Sequence, residues 1–499
     1  MPFAIGGNQL DTTFSISNSL RFNRGDSPNL ERTFSGSPTS TKKCTISFWL
    51  KLADPNDTNA KNIFSAIKSG TNEDFIKFMG VNNGILNNLE LGFNNTIAGG
   101  LMSTGAGSSD FFKFRDPSAW YNICVAIDSS QGTADNRVKL YVNGNQIGLN
   151  SRVEGGSQID DTPLTQDYEL GFLTASKHQI GENVDGSGEH FDGYLSEFYF
   201  VDGQQLAPTT FSERNDNGVW VPKDAKDDIT FGNYGFFLEF KQTGTSADAS
   251  GMGADTSGND NHFSASGLAA VDVTTDTPSN NFATLNPLIV PSEDNAPTLS
   301  EGNCRVVTSD NGSFGGLSTI GVSSGKWYAE FKYITASADN RAVVAVARDL
   351  NPFNTSDTSL GEDANSISYR AVDGGSYNNN SVSSYGSSYA AGDIIGVALD
   401  LDNLKLYFSK NGTFQNSGNP ESGSTGTGAL TASLSAGEFH FIGCGDVTSS
   451  FSETLEANFG NAPFTISTPK SDANGHGNFE FDVPSGYFAL CTKNLAEYG

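Results

Sequence analysis

The chain has 499 residues, 36% of them hydrophobic and 17% charged, with 56 Gly and 36 Phe. That composition supports more than one packed core and excludes a disordered polyanion. Acidic residues outnumber basic ones by 57 to 29, a net charge of −28, so the phosphate backbone should repel the chain and no nucleic acid is expected as a partner.

Along the chain, Met1–Gly7 lacks the basic region of a signal peptide, so none is expected. No window approaches ~18 uninterrupted apolar residues, so no membrane insertion is expected. The dominant period is two. In 45–52, Ile46, Phe48, Leu50 and Leu52 face one way while Thr45, Ser47 and Lys51 face the other. Val138, Leu140 and Val142 alternate with Arg137, Lys139 and Tyr141, and Ile395, Val397, Leu399 and Leu401 repeat the pattern. Each reads as a half-buried strand. Tyr194–Val201 and Phe236–Phe240 are apolar on both faces or nearly so, which suits central strands. Asn143-Gly144, Asp192-Gly193, Asp202-Gly203 and Asn411-Gly412 supply residues that tolerate positive φ in tight turns. No amphipathic helix of ten or more residues is visible. The expected fold is all-β, built of packed antiparallel sheets.

Three regions separate. Residues 1–215 and 301–499 each carry a set of strands, and 216–300 is an Asp/Asn/Gly-rich connector with some packed strand at Phe236–Phe240. Cys44, Cys124, Cys304, Cys444 and Cys491 are scattered and odd in number, which points to free buried thiols and synthesis in a reducing cytoplasm.

The chain lacks the spacing of common catalytic motifs: no H-E-x-x-H, no G-x-S-x-G elbow, no phosphate-binding loop. His178, His190, His262, His440 and His476 are dispersed. Glu480-Phe-Asp482 begins a two-carboxylate strand pattern, but Ser485 stands where a second Glu is needed. No enzymatic activity is expected. Asp255, Ser257, Asn259, Asp260 and Asn261 crowd oxygen atoms into seven residues. Such a set suits a hard cation such as Ca2+, with Asp255, Asn259 and Asp260 as the ligands, or else an Asx-rich turn. Ala371–Tyr389 is mainly Tyr, Ser, Gly and Asn, a mixture that antibody loops use for recognition. Tyr377, Tyr385 and Tyr389 are therefore the expected ligand-binding residues.

Ser19-Leu-Arg-Phe22, Cys44-Thr-Ile-Ser-Phe-Trp-Leu-Lys51, Trp120-Tyr-Asn-Ile-Cys-Val-Ala-Ile127, Val138-Lys-Leu-Tyr-Val-Asn-Gly144 and Phe191-Asp-Gly-Tyr-Leu-Ser-Glu-Phe198 occur in that order. Together they resemble the laminin-G/concanavalin A-like sandwich family. Ser324-Gly-Lys-Trp-Tyr-Ala-Glu-Phe331, Gly392-Asp-Ile-Ile-Gly-Val-Ala-Leu-Asp400 and Leu404-Lys-Leu-Tyr-Phe-Ser-Lys-Asn-Gly412 resemble the SPRY sandwich, with Ala329 replacing the second aromatic of its first strand. Between them, Gly218-Val-Trp-Val-Pro-Lys223, Asp255-Thr-Ser-Gly-Asn-Asp-Asn261 and Asp276-Thr-Pro-Ser-Asn-Asn281 resemble a junction found in structural proteins of marine bacteriophages.

That resemblance implies a protein assembled in the host cytoplasm and carried on the virion surface, in a tail fibre or tail-associated appendage. Its implied partners are other virion proteins, further copies of itself in a homo-oligomer, and a host-surface glycan or protein. The alternative is a capsid-surface or head-fibre structural protein. A polysaccharide depolymerase is a third reading, and it requires two carboxylates about 5–9.5 Å apart in a cleft.

Overall fold

The computed structural model describes residues 14–55, 58–79, 88–101, 114–147, 152–154, 157–159, 163–289, 296–309, 314–348, 358–447 and 451–499. Among these, the one α-helix is the seven-residue Thr492–Tyr498, and antiparallel strands form nearly all the rest of the regular structure. Two compact units divide the chain between Ser279 and Asn280.

In the first unit, strand Lys43–Leu52 lies between Tyr121–Asp128 and Gly193–Asp202, and this sheet continues outward through Val138–Val142 on one side and Ser19–Phe22 on the other. A second sheet runs in the order Ser264–Ser266, Asn29–Thr33, Lys177–Ile180, Lys61–Ser69, Asn72–Met79, Asn88–Phe93, Thr96–Leu101. Their facing residues make the core. Phe48 stacks on Phe198 at 5.1 Å between centroids, and Phe64 meets Phe198 edge-on at 5.6 Å. Ile46, Leu50, Ile123, Val125, Ile76 and Phe78 are buried around them. This is the aligned packing of a sandwich, with one face of each sheet inward.

The alternating strand 45–52 is more deeply buried than its pattern implies. Thr45, Ser47 and Lys51 on its outer face are at most 1% exposed. The cause is the segment expected to be a connector. Ala225, Phe231 and Phe237 of that segment, with Phe211 just before it, pack with Cys124, Tyr199 and Val201 against that outer face, forming a second, smaller core. Phe236–Leu238 pairs with 198–200, Ser264–Ser266 joins the second sheet, and Val273–Thr274 pairs with Ser19–Phe22. Residues 216–279 thus fold with the first unit rather than between two units. Buried Lys51 is compensated there: its Nζ lies 2.8 Å from Asp276, and Trp120 Nε1 donates to the other oxygen of that carboxylate at 3.1 Å. A buried cation requires such a partner.

In the second unit, Lys326–Thr335 is central to one sheet, between Ile394–Asp400 and Thr454–Asn458, with Lys405–Lys410 beyond the former. The opposing sheet runs Gly316–Leu317, Phe441–Asp446, Ala342–Ala347, Ser366–Arg370, Gly375–Asn378, Ser381–Ser384. Trp327, Phe331, Val344, Val346, Ile367, Tyr369, Val397 and Phe408 fill the space between. All five cysteines are buried thiols, as expected.

Candidate functional site

The stretch expected to be a recognition loop is largely sheet. Gly375–Asn378 and Ser381–Ser384 form a hairpin in the register Gly375↔Ser384, Ser376↔Ser383, Tyr377↔Val382, Asn378↔Ser381. Its turn residues Asn379 and Asn380 have φ of 47° and 57°, the left-handed pair that a two-residue hairpin needs. Ser381–Ser384 is the last strand of its sheet, and all four residues are exposed. Asn378 anchors the hairpin by donating from Nδ2 to the Ser366 carbonyl at 2.8 Å and to Ser433 Oγ at 2.6 Å.

The three tyrosines separate. Tyr389 is 1% exposed and donates to the Tyr369 carbonyl at 2.9 Å, and its ring packs against Tyr333 and Tyr369. Tyr385 is 5% exposed, and its hydroxyl accepts from the Phe408 backbone N–H at 2.9 Å. Burial raises both phenols well above their ordinary range. Both rings are core, so neither presents a face to a ligand. Their hydroxyls satisfy backbone groups inside the sandwich, which is how a buried tyrosine is normally accommodated. Only Tyr377 is partly exposed.

Tyr377 has neighbours that composition did not suggest. Ser368 pairs with Tyr377, so Arg370, two residues along, shares its face. The Arg370 guanidinium lies 5.5 Å from the Tyr377 ring centroid and 3.4 Å from Asp373. Val382, directly opposite Tyr377, is 47% exposed and, among the described residues, one of two large apolar side chains that stand out to solvent. Tyr377 Oη donates to Asn380 Oδ1 at 2.9 Å, and Gly361 lies so close that a Cβ there would sit 2.6 Å from the ring. Burial, then the nearby Glu362 carboxylate, raise the Tyr377 phenol. The ring is therefore held neutral and oriented, beside a cation, an exposed valine and a strand with open backbone groups. Such a rim can stack, hydrogen-bond and pair strands. Arg370 and Val382 were missed because only sheet register brings them beside Tyr377.

Of the two readings of the oxygen-rich turn, the hydrogen bonds follow the Asx-rich turn. Asp255 Oδ1 accepts from the N–H groups of Phe237 and Ser257 at 2.9 and 2.8 Å, while Oδ2 accepts from Ser257 Oγ and Asn261 N–H at 3.0 and 2.8 Å. Asn259 Nδ2 donates to the carbonyls of Gly232 and Gly235. Asp260 extends into solvent, 88% exposed, 3.7 Å from His262. Asp255 is thus committed to backbone donors, in the Asx-turn alternative. Among the described residues no group of three or more His, Cys, Asp or Glu converges in a way that could hold a metal ion.

Residues 26–208 match the model of the concanavalin A-like lectin/glucanases superfamily, and residues 316–437 match the SPRY domain model. The solved SPRY domain of human HERC1 is 20% identical, covering 35% of this chain and 96% of its own, with a TM-score of 0.26. The TRIM65 PSpry domain is 13% identical over 36% of this chain and 92% of its own, TM-score 0.26. A heptameric SAP-like pentraxin from Limulus polyphemus is 18% identical over 39% of this chain and 80% of its own, TM-score 0.24. No curated protein sequence matches the chain. The chain joins a laminin G/concanavalin A-like sandwich to a SPRY sandwich.

Proposed function

We propose that the protein is a non-enzymatic bacteriophage virion component, in a tail fibre or tail-associated appendage, that recognises a host-surface glycan or protein through the rim of its SPRY sandwich. The observation that carries the recognition is the rim itself: Arg370, on strand Ser366–Arg370, shares one sheet face with Tyr377 and Val382 of the adjoining hairpin, whose outer strand is exposed throughout. A preoriented aromatic ring beside an arginine is the kind of anchor on which binding energy concentrates. The virion assignment is supported by the junction motifs between the two sandwiches, with other virion proteins as assembly partners and several copies of the chain per appendage.

The test is saturation binding of the fluorescently labelled full chain to a panel of marine bacterial strains. Saturable binding to a subset of strains, competed by unlabelled protein, is expected. Uniform absence of binding by folded protein would contradict recognition and favour the head-surface structural alternative.

A further inference from the structure

Lys51 and Asp276 lie 225 residues apart in sequence and meet inside the first unit, with Nζ 2.8 Å from Oδ2. Lys51 stands on the outer face of strand Lys43–Leu52, directly opposite Tyr194. Trp49 shares that face two residues back, and Trp49, Trp120 and Tyr194 form one buried aromatic cluster there. The lysine Nζ lies 5.5 Å from the Tyr194 ring centroid. The side chains of Lys51 and Asp276 are 1% and 0% exposed, so bulk water reaches neither.

Asp276 is fixed in place from several directions. It follows Val273–Thr274, the last strand of the sheet. Its N–H donates to Thr274 Oγ1 at 3.3 Å, and its carbonyl accepts from Ser19 Oγ at 2.5 Å. Three residues on, Ser279 Oγ accepts from Ile16 N–H at 2.9 Å. The carboxylate divides its two oxygens. Oδ2 faces the lysine, and Oδ1 accepts from Trp120 Nε1–H at 3.1 Å. One oxygen is thus polarised by a fixed donor while the other lies against an amine nitrogen, the arrangement that acyl transfer uses.

In water, hydration keeps an amine and a carboxylic acid ionised and unreacted toward each other. Burial removes that protection, because each desolvated ion carries a penalty that a neutral amide does not. Groups fixed in contact also react as though at effective concentrations of about 10⁵ M or more. By contrast, the lysine of the Lys326–Asp400 pair is 25% exposed, and water solvates its ammonium. We propose that Lys51 and Asp276 condense after folding into an intramolecular isopeptide bond. A proton passes from the ammonium to Oδ2, leaving a neutral amine and acid. The Nζ lone pair attacks Cγ, and the carbonyl pair moves onto Oδ1, where the Trp120 N–H meets it. Oδ2 takes a second proton from Nζ and leaves as water. The Nζ–Cγ bond forms, the Cγ–Oδ2 bond breaks, and no oxidant or cofactor takes part. The product ties the end of the first unit to one of its central strands and restricts the unfolded chain as any long-range cross-link does.

The test is the intact mass of the purified full chain under denaturing conditions, then trypsin digestion and tandem mass spectrometry. The chain should be lighter than its sequence by one water molecule. Trypsin does not cut after an acylated lysine, so peptides 44–61 and 242–305 should appear joined as one branched species, in the major form of the protein. Lys51→Met has no amine to react and should restore the full mass, whether or not that variant folds. A full-mass chain, separate linear peptides 44–51 and 242–305, or a water loss that persists in Lys51→Met would overturn the bond and leave Lys51 and Asp276 as an ion pair.

Discussion

Single buried carboxylates do much of the joining in this protein. Glu453 is fully buried and accepts from the hydroxyl of Tyr333, from Ser337 N–H and Oγ, and from Arg341 N–H. Truncation would strand several donors at once. Glu453→Ala should destabilise the second unit by about 2–4 kcal/mol, read from the urea midpoint of its unfolding transition. An unchanged midpoint would mean the donors find other partners. Glu197 is the opposite case. It sits at φ 49° in the bulge between Ser196 and Tyr199, and its pKa is pushed up to about 8, by burial first and then by the facing Glu239 carboxylate. The folded chain therefore holds a proton there that the unfolded chain releases. The stability from the neutral form is complete below the ordinary glutamate range and is lost as pH rises through about 8. Melting of the first unit should fall between pH 5 and 8.5, a range set around that value. Glu197→Gln should flatten the profile and stabilise most at its alkaline end. A variant that keeps the wild-type slope would assign the pH dependence to other groups.

At the scale of elements, the turns were legible and the edges were not. Asn143-Gly144 and Asn411-Gly412 both close two-residue hairpins with positive φ at each position, as their dipeptides predict. Gly412 is also spatially constrained, since a Cβ there would lie 2.7 Å from the Phe481 ring. Gly412→Ala should cost roughly 1–3 kcal/mol in the second unit's denaturation midpoint, combining the strained φ with a crowded ring. Preserved stability would show that the ring moves aside freely. Two central strands divide an edge between partners, and periodicity says nothing of this. Gly193–Asp202 pairs with Ser19–Phe22 at one end and Phe236–Leu238 at the other, and the Glu197 bulge lies between. Lys326–Thr335 likewise takes Thr454–Asn458 and, in parallel, Phe488–Ala489. The pieces from 216–279 are two or three residues long, too short to show a period. Their partners lie far away in sequence, so they resembled a connector. Tyr385 and Tyr389 were misplaced for a related reason. Tyr, Ser, Gly and Asn mark recognition loops by composition, but composition cannot show which rings the register turns inward.

At the scale of the molecule, two sandwiches put polar chemistry at sheet margins and keep their interiors aromatic. The first unit stacks Phe48, Phe198 and Phe236, while the second gathers Tyr369, Tyr389 and Phe408. A net charge of −28 favours solubility. Within this architecture the SPRY rim combines a preoriented ring, an arginine, an exposed valine and an open strand edge. The most direct measurement is saturation binding to a recognised bacterial strain by the full chain and by a triple variant, Tyr377→Ala, Arg370→Ala and Val382→Ser. Loss of at least tenfold in affinity, about 1.4 kcal/mol or more, with an unchanged melting temperature is the predicted result. Equal affinity of the two proteins would contradict recognition at the rim.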